Sequence, residues 1–444
     1  MKKRMIGLWA TAAAVLSISV SLAQQRMLTV EESVRIGLEN SKSLHASLMR
    51  SGYADAKASE ASASLYPTVR VQAGYVKLSS VPEFRINLPP GIVPGNAVVF
   101  PIILNNYSAK ATLQQPLFTG WRLRSMADNA SYQAEASHRD LDRDRAELVY
   151  DIKAAYWRLY QANETKRLAD ENVTRISAHL KDIDNLSKQG LATNNEVLKV
   201  RVQLSNATII QSDAANAVQM AKLSFNSTLG IDLDTDVVPS SPLTSTQKDF
   251  PEVQKLLESA FARRPELQAM ELRVKASDAG VTAAKGGWLP QIFLTGDYYY
   301  SRPNPRIFPA RDEFKDSWDI GISLQFDLWN NLMTLHQTSA AKAQYEQTKD
   351  ALATMKDGIT LEVTQSYLNF NQAKRRIRLS ELGVEQANEN YRVTAEKFKA
   401  GLTTNSELLD AEVSLLQAKL QLTQARVDYE LAEAGLEKAI GSGG

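Results

Sequence analysis

The sequence predicts a mainly α-helical chain with a membrane β-barrel portion: long antiparallel coiled-coil helices plus four β-strands, internally duplicated. Three observations predict it. One offset of 211 residues, Gly190 onto Gly401, superposes stretches of the two halves. Four segments alternate apolar and polar residues with a period of two, and two runs of about 70 residues are nearly devoid of glycine and proline. The composition agrees, because 21 Gly and 15 Pro in 444 residues are few for an all-β protein, while Ala, Leu, Gln, Glu and Lys dominate long stretches.

Composition and the N-terminus bound the function. With 51 Lys+Arg against 50 Asp+Glu, the chain lacks the basic surface that phosphate backbones require, so nucleic acid is not an expected partner. Cysteine is absent, which excludes disulfides, thiolate metal sites, a thiol nucleophile and a lipid-modified cysteine. Residues Met1 to Ala23 read as a secretory signal peptide: Lys2, Lys3 and Arg4, an apolar run from Met5 to Val20, then Ser21, Leu22 and Ala23 before Gln24. Beyond it, no run approaches the roughly 18 to 20 apolar residues of a spanning helix. A mature product is therefore expected to be soluble outside the cytoplasm or held in a membrane as a β-barrel.

The repeat organises the rest. Gly190-Leu191-Ala192-Thr193-Asn194 with Glu196 matches Gly401-Leu402-Thr403-Thr404-Asn405 with Glu407, and Tyr156 matches Tyr367. Upstream, Leu65-Tyr66-Pro67 pairs with Trp288-Leu289-Pro290 at an offset of 223. The larger offset places an insertion after Pro67, and Pro82, Pro89, Pro90, Pro94 and Pro101 mark it as a surface loop. The expected division is a signal peptide at 1–23, a first repeat at 24–237, a linker at 238–249 and a second repeat at 250–444. Each repeat reads helix, strand, loop, strand, very long helix, tight turn, second long helix. Strands are expected at about 67–78, 107–118, 290–301 and 316–328, and long helices at about 120–188, 195–229, 330–399 and 405–440.

In the last strand Trp318, Ile320, Ile322, Leu324 and Phe326 point one way, and Asp319, Gly321, Ser323 and Gln325 the other. Val69, Val71, Ala73 and Tyr75, then Ala109, Ala111 and Leu113, and Ile292, Leu294, Tyr298 and Tyr300 form the matching faces. Such strands suit a half-buried sheet or a lipid-facing wall with a polar lumen. A helix of ~68 residues is about 100 Å long and needs a neighbour along its length. Seams stepping by three and four are expected at Leu148, Ile152, Ala155, Leu159 and Ala162, at Leu198, Val202, Ser205 and Ile209, at Ile359, Val363, Phe370 and Ala373, and at Leu409, Val413, Leu416 and Leu420. Four strands cannot cover both edges in lipid, and barrels begin at about eight strands. More than one copy is required; three give twelve strands, and two or four are not excluded by the arithmetic.

The chain resembles the outer-membrane efflux proteins, the TolC-like exit ducts, over nearly its whole mature length. The duplicated helix, hairpin and helix-pair order carries the resemblance, with the Leu-Tyr-Pro and Trp-Leu-Pro strand entries and the Gly-Leu turns at 190 and 401. It implies a homotrimer whose twelve-stranded barrel lies in the outer membrane of a Gram-negative bacterium, continued by an α-barrel tunnel through the periplasm. It further implies a passive exit duct of a tripartite efflux or type I secretion system, docked to a periplasmic adaptor protein and driven by an inner-membrane transporter. The rival reading is a periplasmic coiled-coil scaffold without channel activity.

Candidate functional residues cluster at the tight turns. Thr193 with Glu196, and Thr404 with Glu407, have the spacing of capping boxes. Asp410 follows Glu407 by three residues on one helical face, so in three chains six acids would ring a narrow opening and favour cations. Related proteins carry an acidic pair at the positions of 407 and 410, whereas the first half has Lys199 in place of Asp410. The tyrosine and arginine that hold the mouth shut in some relatives are replaced by Phe398 and Thr403. Gly190 and Gly401 are expected to be left-handed helix ends, followed by Leu191 and Leu402 as adaptor-docking tips. Tyr298, Tyr299, Tyr300, Trp318 and Trp329 read as an interfacial girdle, and Trp121 and Trp288 as core. His45, His138, His179 and His336 show no ligand spacing and read as exposed helix residues. No phosphate loop or nucleophile elbow is present; neither catalysis, a metal nor a cofactor is expected.

Overall fold

The absence of helix breakers from Trp121 to Lys188 has its structural counterpart in a single helix of 67 residues, α3 (Arg122–Lys188), in the computed structural model. The structure describes residues 26–82, 85–86, 97–98, 102–243, 248–329 and 331–442. The signal-peptide stretch and Pro89, Pro90, Pro94 and Pro101 lie outside the described residues. In chain order the elements are β1 (Arg26–Leu28), α1 (Val30–Asn40), α2 (Lys42–Ala63), β2 (Thr68–Lys77), the two-residue strands β3 (Arg85–Ile86) and β4 (Ala97–Val98), β5 (Asn105–Phe118), α3, and α4 (Asn194–Leu229). Then follow β6 (Val237–Pro239), α5 (Val253–Arg263), α6 (Pro265–Lys285), β7 (Gln291–Arg302), β8 (Lys315–Gln325), α7 (Asn331–Lys399) and α8 (Asn405–Ala439). No described helix is long and apolar enough to cross a membrane.

Each half opens with two helices where the sequence pattern predicted one. The second break falls at Arg264, whose extended backbone (φ −65°, ψ 120°) precedes Pro265; a residue before proline is pushed out of the helical region. The parallel pairing of β1 with β6, Arg26 opposite Val237, has no signature in the sequence because three residues are too few to show a period.

The contacts divide the chain into two units. One comprises the residues up to Ser41, Val149–Lys248 and Asn371–Glu433. Its core gathers Leu28, Ile36, Tyr156, Leu159, Phe225 and Leu229, and full burial contributes about 1.5–3 kcal/mol for each large apolar side chain. The Tyr156 hydroxyl donates to Leu28 O (3.0 Å) and accepts from Ser241 N (2.8 Å), tying β1 and the segment after β6 to α3. Toward the α3–α4 turn, Ile176 and Ile183 pack on Val197, Val200 and Ala207.

The other unit comprises Lys42–Leu148, Asp249–Phe370 and the residues from Ala434. Here α3 meets α6 with Ala136 against Ala269 and Leu272, and Asn129 Nδ2 donates to Ala276 O at 2.5 Å. This unit also holds the antiparallel sheet β2-β5-β7-β8. β8 stops at Gln325, three residues before the expected end. At the exit of β5, Gly120 has φ +62°, and a Cβ there would lie 2.5 Å from Gly286 O, so the close approach of the two strand-to-helix crossings requires glycine.

Two of the four expected seams are one residue out of phase. Ile152, Ala155 and Leu159 on α3, and Ile359, Val363, Phe370 and Ala373 on α7, are buried. On α4, however, the buried stripe is Val197, Val200, Ala207, Ala214 and Val218, while Val202 and Ile209 are 61% and 60% exposed. On α8 the stripe is Asn405, Leu408, Glu412 and Leu415 rather than Leu409, Val413, Leu416 and Leu420, of which Leu416 alone is buried. Both helices have apolar residues on two adjoining faces; on α4 the second face is left exposed, and on α8 it is half-buried.

Candidate functional site

The two tight turns have the same backbone. Gly190 (φ +76°) and Gly401 (φ +71°) end α3 and α7 in the left-handed region. Leu191 N donates to Leu186 O (2.9 Å) and Gly190 N to Ser187 O (3.0 Å); Leu402 N donates to Lys397 O (2.8 Å) and Gly401 N to Phe398 O (3.0 Å). These are complete Schellman motifs, which usually bury the residue after the glycine against the helix. Here Leu191 and Leu402 stay 72% and 76% exposed. The backbone motif therefore leaves both leucines as apolar points in solvent.

The helix starts differ. Glu196 N donates to Thr193 Oγ1 (3.3 Å), and Thr193 N donates in return to Glu196 Oε2 (2.7 Å), a full capping box. Hydrogen bonds from the Thr193 amide and hydroxyl hold the Glu196 carboxyl below its usual range, so it is ionised at neutral pH. At α8 only half the box forms: Glu407 N donates to Thr404 Oγ1 (3.3 Å), but the Glu407 carboxylate takes the Thr403 hydroxyl. The expected second capping box is thus corrected, and the cause is local, since the first half has Ala192 where the second has Thr403.

The two tips lie side by side. Lys199 Nζ reaches Ser406 Oγ (3.3 Å) and Asn405 Nδ2 reaches Glu196 O (3.4 Å). Between α4 and α8 runs a groove of about 400 Å³ walled by Leu198, Val202, Leu409 and Val413, with Lys199 and Asp410 on its sides. Asp410 and Glu407 are both exposed. The predicted tip residues are therefore gathered at one end of the unit.

The sheet is two-faced. Register aligns Val71, Ala111, Tyr298 and Trp318 in one row across all four strands, and Arg70, Thr112, Asp297 and Asp319 in the next. On the apolar face Val71, Trp318, Ile320 and Ile322 are 66–74% exposed. On the polar face Lys110 pairs with Asp297 (3.1 Å), which also accepts from Thr112 Oγ1 (2.5 Å). Among the described residues β2 and β8 are each paired on one side only, so both outer edges of the sheet are open.

The aromatic assignments need correction. Tyr299 lies on the polar face, 5.0 Å below the Lys110 ammonium, and leaves the girdle; Tyr298, Tyr300 and Trp318 stay exposed on the apolar face. Trp121 and Trp288, read as core, are 58% and 39% exposed. With Tyr66 and Trp329 they mark the helix-side ends of β5, β7, β2 and β8, one exposed aromatic per strand.

Comparison with known proteins decides the family. The family model described as outer membrane efflux protein matches residues 35–230 and 256–442. The chain belongs to the outer membrane efflux protein family. Outer membrane efflux protein BepC of Brucella suis is 22% identical over 330 residues, covering 74% of this chain and 71% of that relative. Outer membrane protein TolC of Vibrio cholerae is 21% identical over 361 residues, 81% of this chain and 82% of the relative. The crystal structure of VceC from Vibrio cholerae superposes with a TM-score of 0.77 at 17% identity, covering 93% of this chain and 96% of that one. This efflux protein thus has the TolC-like fold, long helices of an α-barrel with strands of a β-barrel, and is an outer-membrane protein. The family is one of channels rather than enzymes.

Sequence reasoning missed one group near the tips of the efflux protein. His179, expected as an exposed helix residue, is 6% exposed and bonds through Nε2 to Asn405 Oδ1 (2.6 Å), with Phe398 edge-on to its ring. Asn405 and Glu412 are each 2% exposed. A signal existed: Asn405, Leu408, Glu412 and Leu415 step by three, four and three, and two polar residues in such a stripe mark a buried polar seam.

Proposed function

We propose that three copies of this efflux protein form one passive exit duct, with β2 of each chain pairing with β8 of the next. The observation that carries the reading is the sheet itself: two open edges, one apolar face and one charged face on strands of 10–14 residues. In lipid, unpaired strand edges cost several kcal/mol per backbone group, and closure among copies removes them. The exposed stripes at Val202 and Ile209 on α4, and at Leu361 and Leu368 on α7, supply apolar faces for neighbouring helices.

On this reading the chain consists of repeats at 24–237 and 250–444 joined by 238–249, and the turns form the periplasmic mouth. Glu196, Glu407 and Asp410 line the aperture and favour cations, with Thr193 and Thr404 starting the helices behind them. Gly190 with Leu191, and Gly401 with Leu402, dock the tips of a periplasmic adaptor protein, because solvent alone gives no reason for exposed leucine at a turn. An inner-membrane transporter supplies the energy. The test is fractionation followed by planar-bilayer recording. A duct stays with outer membranes through carbonate and high salt, runs as a heat-resistant trimer and conducts ions; a scaffold washes off and does not conduct.

A further inference from the structure

The two helical hairpins of the unit holding the tips meet through apolar contacts, Phe398 and Leu409 against the Ile176 cluster among them, and through a ladder of polar pairs. Within the first hairpin, α3 and α4 meet through Ile176, Ile183, Val197 and Val200. Between hairpins, α3 and α8 meet through polar rungs: Gln161 with Gln424, Glu171 with Lys419 (3.9 Å), and His179 with Asn405 (2.6 Å). Arg175 and Glu412 occupy the rung between the last two. Arg175 lies over the Tyr391 ring of α7 (5.5 Å) and reaches Asn172 Oδ1 (3.5 Å). Its Nε and Glu412 Oε2 are both buried without a hydrogen-bond partner among the described residues. A buried carboxylate lacking a bonded partner is costly, whereas the neutral acid is tolerated.

We propose that Glu412 is a positioning residue of the mouth: as the neutral acid it lets the first turns of α8 lie against α3 and α7, and as the carboxylate it forces them apart. This rests on the duct reading, in which these turns form the mouth. The groups facing Glu412 are Arg175 from α3 and Tyr391 from α7; Glu171 pairs with Lys419 one rung away, and His179 is engaged by Asn405 on the other side. Burial pushes the Glu412 carboxyl up to about 7 from 4.5, against the opposing pull of Arg175. Because the packed state holds the proton more tightly than a solvated one, its advantage is complete below 4.5 and is lost as pH rises through about 7. Linkage between those two values gives an increase in the open-to-closed ratio of about twentyfold per chain from pH 5.5 to 7.5.

The test records the full-length protein in planar bilayers across that pH range, for the wild type and for Glu412→Gln, which keeps the shape of the neutral acid. The absence of cysteine also allows spin labels at Asn195→Cys and Ser406→Cys to report the distance between tips. The expected result is an open probability and a tip distance that rise with pH in the wild type and stay at their acid values in Glu412→Gln. A wild type insensitive to pH, or a Glu412→Gln profile as steep as wild type, overturns the proposal and assigns any pH response to the exposed acids Glu407 and Asp410. Failure to conduct at every pH counts against the duct reading instead, while the label distance still reports on Glu412.

Discussion

Ile320→Arg is the sharpest test of which face of the sheet meets lipid. Ile320 is the middle residue of β8, stands opposite Gly296 of β7, and is 66% exposed on the apolar face. An arginine facing lipid near the midplane costs about 2–4 kcal/mol per chain, a factor of roughly 30 to 1000 in the folded population. Thr295→Lys, on the opposite face of β7, provides the control. Its cross-strand neighbour is Gly321, whose missing side chain leaves room, and a cation facing a wet lumen stays within about 0.5 kcal/mol of wild type. Urea unfolding of the reconstituted protein, followed by loss of the heat-resistant oligomer, measures both. A neutral Ile320→Arg beside a damaging Thr295→Lys would invert the assignment of faces and with it the barrel.

Four further outcomes are expected at the tips. Thr193→Ala removes the hydroxyl from a full capping box and lowers stability by about 1 kcal/mol, whereas Thr404→Ala, acting on half a box, costs less; thermal unfolding ranks them. Since the Glu196 carboxyl is held below its usual range, the stability of that cap is present above 4.5 and is lost as pH falls through the depressed value, which an acid titration of helicity near the tip detects. Replacing Glu407 and Asp410 together by Gln and Asn lowers cation-over-anion selectivity measured by reversal potential; unchanged selectivity reduces them to helix-start residues. Leu191→Asp and Leu402→Asp leave oligomer and conductance intact but abolish export in cells, because each places charge where an apolar partner surface is expected.

The contrast between the first and second helix of each hairpin shows how far the sequence reaches. The buried seams of α3 and α7 were legible because their apolar residues lie on one face. On α4 and α8 they lie on two, and nothing in a stripe such as Leu198, Val202 and Ile209 tells which neighbour it meets. A shift of one residue, about 100° around a helix, moved the reading off the most buried face, onto an exposed one on α4 and a half-buried one on α8, and concealed Glu412. His179 was misplaced for the same reason: its burial comes from α7 and α8, more than 200 residues away along the chain. The second capping box failed on a single neighbour, the Thr403 hydroxyl, which outcompetes the amide for Glu407.

Period, length and repetition were determined by the sequence alone, because each is a property of one element: alternation sets the two faces of a strand, the lack of breakers sets the length of α3, and the 211-residue offset sets the order of parts. Tertiary structure decided the choices that need a second element. It selected which of two apolar stripes on α4 and α8 is most buried, left Trp121, Trp288, Tyr66 and Trp329 exposed at the strand ends, and buried Glu412 beside the Nε of Arg175 without bonding them. Burial is a relation between surfaces, and a linear pattern specifies one surface at a time.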